Sequence, residues 1–247
     1  MTNIYQGVVL SQRYFRESDL VVVIYTLEKG KIELVVRGGK KILSKLRGGV
    51  ELMNWVEIMM APGKNFSYLA SVNLLSSWPY LRTDLSRLSL GLSTVELLDK
   101  ITVEMSEKKN IYYLLLEWLR WLNSADYQPV VGYVSFYYLA LKWLSLLGYG
   151  LPGNKCTSCS NSLGPLEFYL SSQGLFCHKC SRSGMVKIPL SSLVRLQKLD
   201  GADSISSIVK LVNQADLKLN RESVILSKTW LHSIIDSELR AIALFNK

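Results

Sequence analysis

The sequence predicts a multi-domain α+β protein, in which a five-stranded OB-type β-barrel precedes an α-helical domain that carries an inserted four-cysteine zinc knuckle. Short β-branched segments crowd the first 80 residues, helical periodicity begins after Pro79, and all four cysteines fall into two Cys-x-x-Cys pairs. A chain of 247 residues has room for two hydrophobic cores. We expect a nucleic-acid-binding barrel at residues 1–79, a helical domain at 80–247 and a zinc-binding insertion at about 154–186.

The barrel prediction depends on five short segments whose apolar residues mostly alternate. Val21 to Tyr25 is a β-branched run that ends before the turn at Glu28-Lys29-Gly30. The five predicted strands are residues 4–10, 21–25, 32–36, 50–60 and 66–75. Five strands at this spacing fit a small closed barrel of the OB type, and an SH3-like barrel is the main alternative.

Beyond Pro79 the apolar residues recur at three- and four-residue steps, which is typical of amphipathic helices. Thr83 or Asp84 could cap the first helix. The predicted helical segments start near residues 85, 111, 130, 190 and 204, and the last runs from Arg221 to Phe245. We interpret their leucines and tryptophans as core residues.

One of these segments, residues 130–150, carries a single charge, Lys142, and could be mistaken for a membrane span. A lysine near the centre is costly in lipid, and no basic flank marks a cytoplasmic side. We therefore expect a buried core helix. The first residues also lack the pattern of a secretory signal, which predicts a cytoplasmic protein.

The cysteines form the pairs Cys156-x-x-Cys159 and Cys177-x-x-Cys180, separated by the 17 residues of a hairpin or knuckle. Two such pairs can complete a four-sulfur shell around one metal ion, so we predict one structural zinc per chain. Two disulfides or a redox-active pair are the alternatives, and a reducing cytosol disfavours disulfides. With four thiolates available, His178 is not needed as a ligand.

The charge of the chain points to a polyanionic partner, because its net charge is +9 and its pI about 9.3. Five cations fall within eleven residues that contain no acid: Arg37, Lys40, Lys41, Lys45 and Arg47. Glycine pairs at 38–39 and 48–49 would allow close backbone approach. We predict that this segment binds DNA phosphates and that Arg13 and Arg16 border the same groove. A solvated loop without a ligand is the alternative.

Aromatic residues near these cations could stack on bases, as they do in other single-strand-binding barrels. The candidates are Tyr14, Phe15, Tyr25 and Tyr68. Enzyme motifs are missing from the sequence: it has two histidines, no His-Glu-x-x-His motif and no Gly-x-Ser-x-Gly motif. A zinc hydrolase or deaminase would need an open metal position and a His-x-Glu motif. We therefore predict no catalytic residue and no enzyme.

The chain resembles the RecO family of bacterial DNA repair and recombination mediator proteins over nearly its whole length. The similarity is specific in three stretches: RGGKKILSKLRGGVEL (37–52), LRTDLSRLSLGLSTVELLDK (81–100) and FYYLALKWLSLLGYGLPGNKCTSC (136–159), which FYLSSQGLFCHKC (168–180) continues. The third stretch, a helix that ends in Leu-Gly-Tyr before the first cysteine pair, is the most diagnostic. The basic segment has leucines and serines where relatives often carry arginine.

The resemblance implies a function that the residues alone do not show. RecO proteins bind single- and double-stranded DNA and anneal complementary strands. With RecR, and in some bacteria RecF, they load RecA onto DNA coated by single-strand binding protein, whose acidic C-terminal tail they contact. The resemblance thus implies a non-catalytic, nucleoid-associated protein of the bacterial cytoplasm. A protein-interaction scaffold, whose contact with nucleic acid is secondary, is the alternative from another functional class.

Overall fold

The computed structural model describes residues 4–106, 108–151, 153, 155–163, 167–171, 173–235 and 239–244. The chain forms two compact units, one of Met1–Asp126 with Leu239–Lys247 and one of Tyr127–Glu238. The strands of the barrel and the first three helices belong to the first unit. Strands give way to helices near residues 79 and 80, where we expected the domain boundary. That these residues separate two domains stays a prediction.

The first unit begins with a closed five-stranded barrel. Its strands are β1 (Ile4–Tyr14), β2 (Leu20–Thr26), β3 (Gly30–Val36), β4 (Trp55–Ala61) and β5 (Tyr68–Ser76). They close in the order β1-β2-β3-β5-β4, with β4 antiparallel to β1 and with one parallel pair, Val35 and Tyr68, between β3 and β5. This order confirms the predicted OB-type barrel.

Alternate residues of the strands fill the barrel, as period-two patterning requires. The inward residues of β2 and β3 include Val22, Ile24, Ile32 and Leu34, and all of them are buried. The outward residues of β2 are buried as well. The run of β-branched residues in the sequence therefore reflects a strand that is covered on both faces.

The predicted fourth strand is wrong at its start. β4 begins at Trp55, and residues 37–54 form successive turns. Val50 is fully buried against the barrel core, and Leu52 packs against it without being in a strand. The even spacing of Val50 and Leu52 arises because both side chains pack on the core. Residues in turns can do this as well as residues in a strand.

The helices of the first unit are α1 (Pro79–Thr83), α2 (Leu85–Ile101) and α3 (Lys109–Leu122). Asp84 caps α2, since its carboxylate accepts a 2.8 Å hydrogen bond from the Arg87 amide. The apolar stripe of α3 is buried, and its Trp118 Nε1 donates to Thr94 Oγ1 of α2 at 2.8 Å. The predicted core role of this stripe is confirmed.

Across its described residues, the second unit combines four helices with a small sheet. Its elements are α4 (Pro129–Leu146), β6 (Glu167–Ser171), β7 (Gly174–Phe176), β8 (Val186–Pro189), α5 (Leu190–Gln197), a 3₁₀ turn (Lys198–Gly201), α6 (Ile205–Asn213) and α7 (Leu217–Ile234). β6 lies between β7 and β8, and both pairings are antiparallel. α4 packs against α6 and α7.

Lys142 shows how the apolar helix α4 accommodates its charge. The side chain is buried, and its Nζ donates to the Asp200 carbonyl oxygen at 2.7 Å and lies 3.4 Å from Asp203 Oδ1. A buried cation needs such partners. The predicted core helix is thus confirmed, and across the described residues no helix has both the length and the apolarity to cross a membrane.

The predicted last helix, Arg221 to Phe245, is also wrong in its bounds. α7 begins at Leu217, four residues earlier than expected, with Asp216 as its cap, and the helix ends at Ile234. After an interval outside the described residues, Leu239 and a 3₁₀ turn (Ala241–Leu244) belong to the first unit, where the Arg240 amide donates to Glu96 Oε2 at 2.9 Å. Apolar residues at helical spacing continue through this stretch, so their periodicity hides the end of the helix. Phe245 lies outside the described residues.

Candidate nucleic-acid interface and candidate metal centre

The basic segment, residues 37–49, follows β3 and lies on the barrel as a series of turns. Its start is fixed to the β1–β2 loop, where Asp19 accepts a 2.8 Å hydrogen bond from the Gly38 amide and the Ser18 carbonyl accepts one from the Lys40 amide. At its end, Asn54 Nδ2 donates to the Gly48 and Gly49 carbonyl oxygens. Anchors at both ends hold the intervening cations in one region.

Two glycines of this segment, Gly38 and Gly49, are required by the fold itself. Gly38 has a φ of +61°, a conformation that side chains disfavour. A Cβ at Gly49 would lie 2.6 Å from Val72 Cγ1, so the absence of a side chain lets the segment pack on β5. A Cβ at Gly48, in contrast, would have no neighbour within 4 Å.

A basic groove of about 360 Å³ lies beside this segment. Its lining residues are Gln12, Tyr14, Leu20, Gly39, Lys40, Arg47 and Glu51. Lys40 Nζ lies 4.3 Å from the centroid of the Tyr14 ring and donates to the Arg16 carbonyl oxygen at 2.8 Å. The structure therefore brings Lys40 and Arg47 to the lining of one groove. Arg16 meets Lys40 through its backbone carbonyl, whereas its guanidinium carbon lies 5.1 Å from the centroid of the Phe15 ring.

The other cations of the segment are exposed. Arg37 lies over Tyr68, with its guanidinium carbon 4.1 Å from the ring centroid, a distance typical of a cation–π contact. Lys41 and Lys45 follow on the same segment, and both are solvent-exposed. Stacking restricts the Arg37 side chain while leaving its charge at the surface.

Arg13, in contrast, does not border the basic groove. Its Nη2 forms an ion pair with Glu33 at 2.6 Å, and both residues line a second cleft of about 360 Å³ together with Phe15 and Phe66. Consecutive residues of a strand point to opposite faces, so Arg13 and Tyr14 cannot both face the groove. The expectation that Arg13 shares the groove with Arg16 does not match this placement.

The four aromatic residues predicted to stack on bases differ in their exposure. Tyr25 is fully buried, and burial raises the pKa of its hydroxyl to about 12, so its ring is out of reach of a base. Phe15 packs edge-on against Phe66, with ring centroids 5.3 Å apart. Tyr14, at 80% exposure, remains available for stacking, whereas the partly exposed Tyr68 has the Arg37 guanidinium over its ring.

Sequence reasoning missed two features of this region. Gln12 lines the groove and donates through Nε2 to the Val50 carbonyl oxygen, which ties β1 to the end of the basic segment. Ile42 and Leu43 protrude from the middle of the segment. The exposure of Ile42 and Leu43 could have been suspected from the sequence, because two adjacent aliphatic residues are unusual inside a cationic, glycine-flanked segment.

The four cysteines meet at one point in the second unit. Their Sγ atoms all lie within 4.8 Å of one another, and Cys159 Sγ is 3.9 Å from Cys177 Sγ. An ion with four Zn–S bonds of about 2.3 Å at tetrahedral angles separates its sulfurs by about 3.8 Å, whereas a disulfide bond measures about 2.05 Å. The arrangement fits a metal ion and not two disulfides.

The β6–β7 hairpin brings the two pairs together. The Thr157 amide donates to the Leu175 carbonyl oxygen at 2.8 Å, and the Leu175 amide donates to Thr157 Oγ1 at 3.1 Å. These bonds clamp the loop of the first pair onto the strand that leads into Cys177. The predicted hairpin or knuckle between the pairs is therefore present.

Hydrogen bonds within the cluster favour a thiolate at its buried member, Cys156. Burial raises the pKa of the Cys156 thiol, but hydrogen bonds from the backbone amides of Cys177, Cys159 and Ser158 outweigh it and bring that pKa to about 6. The thiols of Cys177 and Cys159 raise the pKa of Cys180 to about 12, because four neighbouring sulfurs cannot all ionise without a cation. These four cysteines could hold a metal ion.

His178 takes no part in the cluster. Its side chain is exposed, and its ring lies 6.3 Å from the ring of Tyr169 on β6. The group of potential ligands that converges here contains the four cysteines alone among the residues that the structure describes. The donor set is therefore four sulfurs, as expected from the sequence.

Comparison with known proteins gives matches to both halves of the chain. The family model "Recombination protein O N terminal" matches residues 1–78, and "Recombination protein O C terminal" matches residues 82–217. Similar proteins include three that are each named DNA repair protein RecO. The one from Listeria monocytogenes serotype 4a is 28% identical over 94% of this chain and 86% of its own. The one from Symbiobacterium thermophilum is 27% identical over 90% of this chain and 90% of its own. The one from Syntrophomonas wolfei is 29% identical over 87% of this chain and 85% of its own.

The two family models together leave only a short interval of the first 217 residues unmatched, and the second alone spans more than half of the chain. The closed barrel with its basic segment lies within the first match, and the four-cysteine cluster lies within the second. The chain belongs to the Recombination protein O family.

Proposed function

We propose that this protein is a recombination mediator in DNA repair that binds single- and double-stranded DNA at the mouth of its barrel. The observation that carries the proposal is the meeting of Lys40 and Arg47 with the exposed ring of Tyr14 in one groove. Arg37, Lys41 and Lys45 of the same segment, and Arg16 of the adjoining β1–β2 loop, are exposed to solvent. The names of the relatives, each a DNA repair protein, support the same assignment.

The chemistry of the groove suits a nucleic acid backbone. Lysine and arginine neutralise phosphates and release condensed counterions, while tyrosine stacks on bases without preference for sequence. Glu51 is the acid among the lining residues, and it is exposed. A groove with these groups would hold a single strand by its phosphates and leave the bases accessible to a complementary strand.

The wider activity follows from the family. We propose that the protein anneals complementary strands and, with RecR and in some bacteria RecF, helps to load RecA onto DNA coated by single-strand binding protein, whose C-terminal tail it contacts. None of these steps needs a catalytic residue, so we propose a non-enzymatic role in the bacterial cytoplasm, at the nucleoid.

We further propose that Cys156, Cys159, Cys177 and Cys180 hold one zinc ion. A four-sulfur shell leaves no open coordination position, so this ion would stabilise the structure rather than take part in a reaction. Bound there, it would connect the loop of the first pair to the β6–β7 hairpin, which are already joined through Thr157 and Leu175.

The scaffold alternative has less support from the second unit. It would use Arg195, Lys198 and Lys210 to attract an acidic tail. However, Arg195 Nε lies 3.2 Å from Tyr138 Oη, and its Nη2 is buried. Lys198 and Lys210 are exposed, and the side chain of Lys218 lies outside the described residues. The barrel groove therefore remains the better candidate for the primary ligand site.

Charge reversal tests the proposal. Changing Lys40, Lys41 and Arg47 together to glutamate should weaken binding to single-stranded DNA and flatten its salt dependence by about 0.7 log–log units for each lost phosphate contact. Annealing of complementary oligonucleotides coated with single-strand binding protein should slow in parallel. Unchanged affinity and an unchanged salt slope would remove the groove from the proposed function.

A further inference from the structure

Ile42 and Leu43 are the two most exposed large hydrophobic residues in the part of the chain that the structure describes. Their side chains are 88% and 93% exposed, and they lie between Lys41 and Lys45 at the middle of the basic segment. Contact of two adjacent aliphatic side chains with water is unfavourable. A pair of this kind is more informative than a single exposed leucine.

Local structure does not account for the pair. The Ser44 amide donates to the Lys41 carbonyl oxygen at 3.0 Å, which makes Ile42 and Leu43 the central residues of a four-residue turn. Such positions favour proline, glycine, asparagine, aspartate or serine. Leu46 of the segment and Val50 directly after it pack on the barrel core, so Ile42 and Leu43 are distinctive in facing solvent.

The surrounding charges indicate what could cover the pair. Lys41 and Lys45 are exposed on both sides of it, and Lys40 and Arg47 line the adjacent groove. A polyanion held by these cations would pass beside the tip of the turn. Aliphatic side chains in that position meet the faces of bases, and proteins use such residues as wedges between unstacked bases. Bases are easier to unstack in a single strand than in a duplex, because no pairing has to be broken.

We propose that Ile42 and Leu43 form an apolar wedge that contacts the bases of single-stranded nucleic acid while the flanking cations hold its phosphates. This inference rests on the proposed function and deepens it, because it divides the basic segment into residues that bind the backbone and residues that bind bases. The wedge would keep bases apart and so leave their pairing edges open.

The test compares the intact protein with a variant that carries Ile42→Ser and Leu43→Ser. Serine suits the turn, and neither side chain contributes to the core. Affinity is measured across a salt series for a normal oligonucleotide and for one of equal length in which every residue is abasic. We expect binding to the normal strand to weaken about tenfold at every salt concentration, with an unchanged salt slope, because apolar contacts release no counterions. Affinity for the abasic strand should not change.

A second variant and a control complete the test. Leu43→Trp should bind the normal strand more tightly, because an indole stacks on bases more strongly than leucine does. Val103→Ser, which removes another aliphatic residue that is 70% exposed, should leave affinity unchanged. Unchanged affinity of the double serine variant, or an equal loss on the abasic strand, would overturn the wedge. The triple charge reversal would still weaken binding in either case, so a failure of the wedge is distinct from a failure of the proposed function.

Discussion

Lys40 Nζ lies 4.3 Å above the ring of Tyr14 and 2.8 Å from the Arg16 carbonyl oxygen. This contact joins the basic segment to the end of β1. It places a cation that we propose to bind phosphate against the most exposed aromatic ring among the stacking candidates. Each residue is ordinary by itself, but the pair offers the two contacts that a single nucleotide requires.

Removal of the Tyr14 ring should weaken the binding of single-stranded DNA with little effect on salt dependence. A base–aromatic stack contributes about 1–3 kcal/mol, so Tyr14→Ala should lower affinity about fivefold or more. Titration of a labelled oligonucleotide at several salt concentrations measures both quantities. Tyr80→Ala is a matched control, since Tyr80 is 68% exposed on α1 and should not affect affinity. Equal effects of the two changes would contradict the role of Tyr14.

Arg13 and Arg47 should behave differently although both are exposed arginines. Arg47→Gln should weaken DNA binding and reduce the salt slope, because Arg47 lines the basic groove. Arg13→Gln should change affinity less than twofold, because Arg13 is paired with Glu33 in another cleft. An exposed ion pair of this kind contributes about 0–1 kcal/mol, so stability should change little. A larger loss of affinity from Arg13→Gln would show that the bound strand reaches the second cleft.

Elemental analysis of the purified protein should find about one zinc per chain, and Cys177→Ser should abolish it. Loss of the ion should partly unfold residues around the β6–β7 hairpin, because metal binding is coupled to folding at such sites. Limited proteolysis with and without a chelator reports this change. His178→Ala is the neighbouring control and should retain the metal, since His178 lies outside the sulfur cluster. A metal-free and fully folded protein would contradict the assignment.

Substitution by alanine should affect the stability of the protein differently at Gly48 and at Gly49. Gly49→Ala places a Cβ 2.6 Å from Val72 Cγ1 on β5, and overpacking of this kind costs about 1–3 kcal/mol. Gly48→Ala meets no atom within 4 Å and should leave the free energy of unfolding nearly unchanged. Denaturant titration of both variants checks the difference. Similar stabilities would mean that Gly49 does not pack tightly on the barrel.

The stability of the first unit should fall at alkaline pH through its buried tyrosines. Burial raises the pKa of Tyr25, and of Tyr112 on α3, from about 10 to about 12. A raised pKa in the folded state favours the neutral phenol, so its stabilising effect is complete below pH 10 and is lost as the pH rises to 12. Tyr25→Phe should therefore lose less stability than the intact protein between about pH 9 and about pH 11.5. Parallel losses would contradict the burial of Tyr25.

Much of the fold could be predicted from local signals. The β-branched run at Val21 to Tyr25 and the alternation at Ile32, Leu34 and Val36 both mark real strands. The first strand is buried on both faces, so its apolar run is continuous, whereas alternate residues of the second fill the barrel and leave a period of two in the sequence. Spacing also sufficed for the cysteines. Two Cys-x-x-Cys pairs on either side of a hairpin-length segment have few ways to fold other than to meet.

Burial patterns were misleading where different structures bury the same residues. Val50 is buried from a turn, and Leu239 and Ile242 are buried in the first unit after α7 has ended. In each case the sequence shows that a side chain is apolar and correctly spaced, but not which surface covers it. The predicted start of β4 and the predicted end of the last helix fail for this reason.

The sequence by itself determined the barrel, the helical regions, the four-sulfur cluster and the concentration of positive charge in residues 37–47. Only the tertiary structure decided which charges act together. Strand pleating sends Arg13 to one face and Tyr14 to the other, and the turns after β3 carry Lys40 and Arg47 into the Tyr14 groove while leaving Ile42 and Leu43 in solvent. The reason is that secondary structure leaves a periodic pattern among residues close in sequence. The basic groove, in contrast, is formed by segments far apart in sequence, and their relative positions depend on the register of the strands and the closure of the whole barrel.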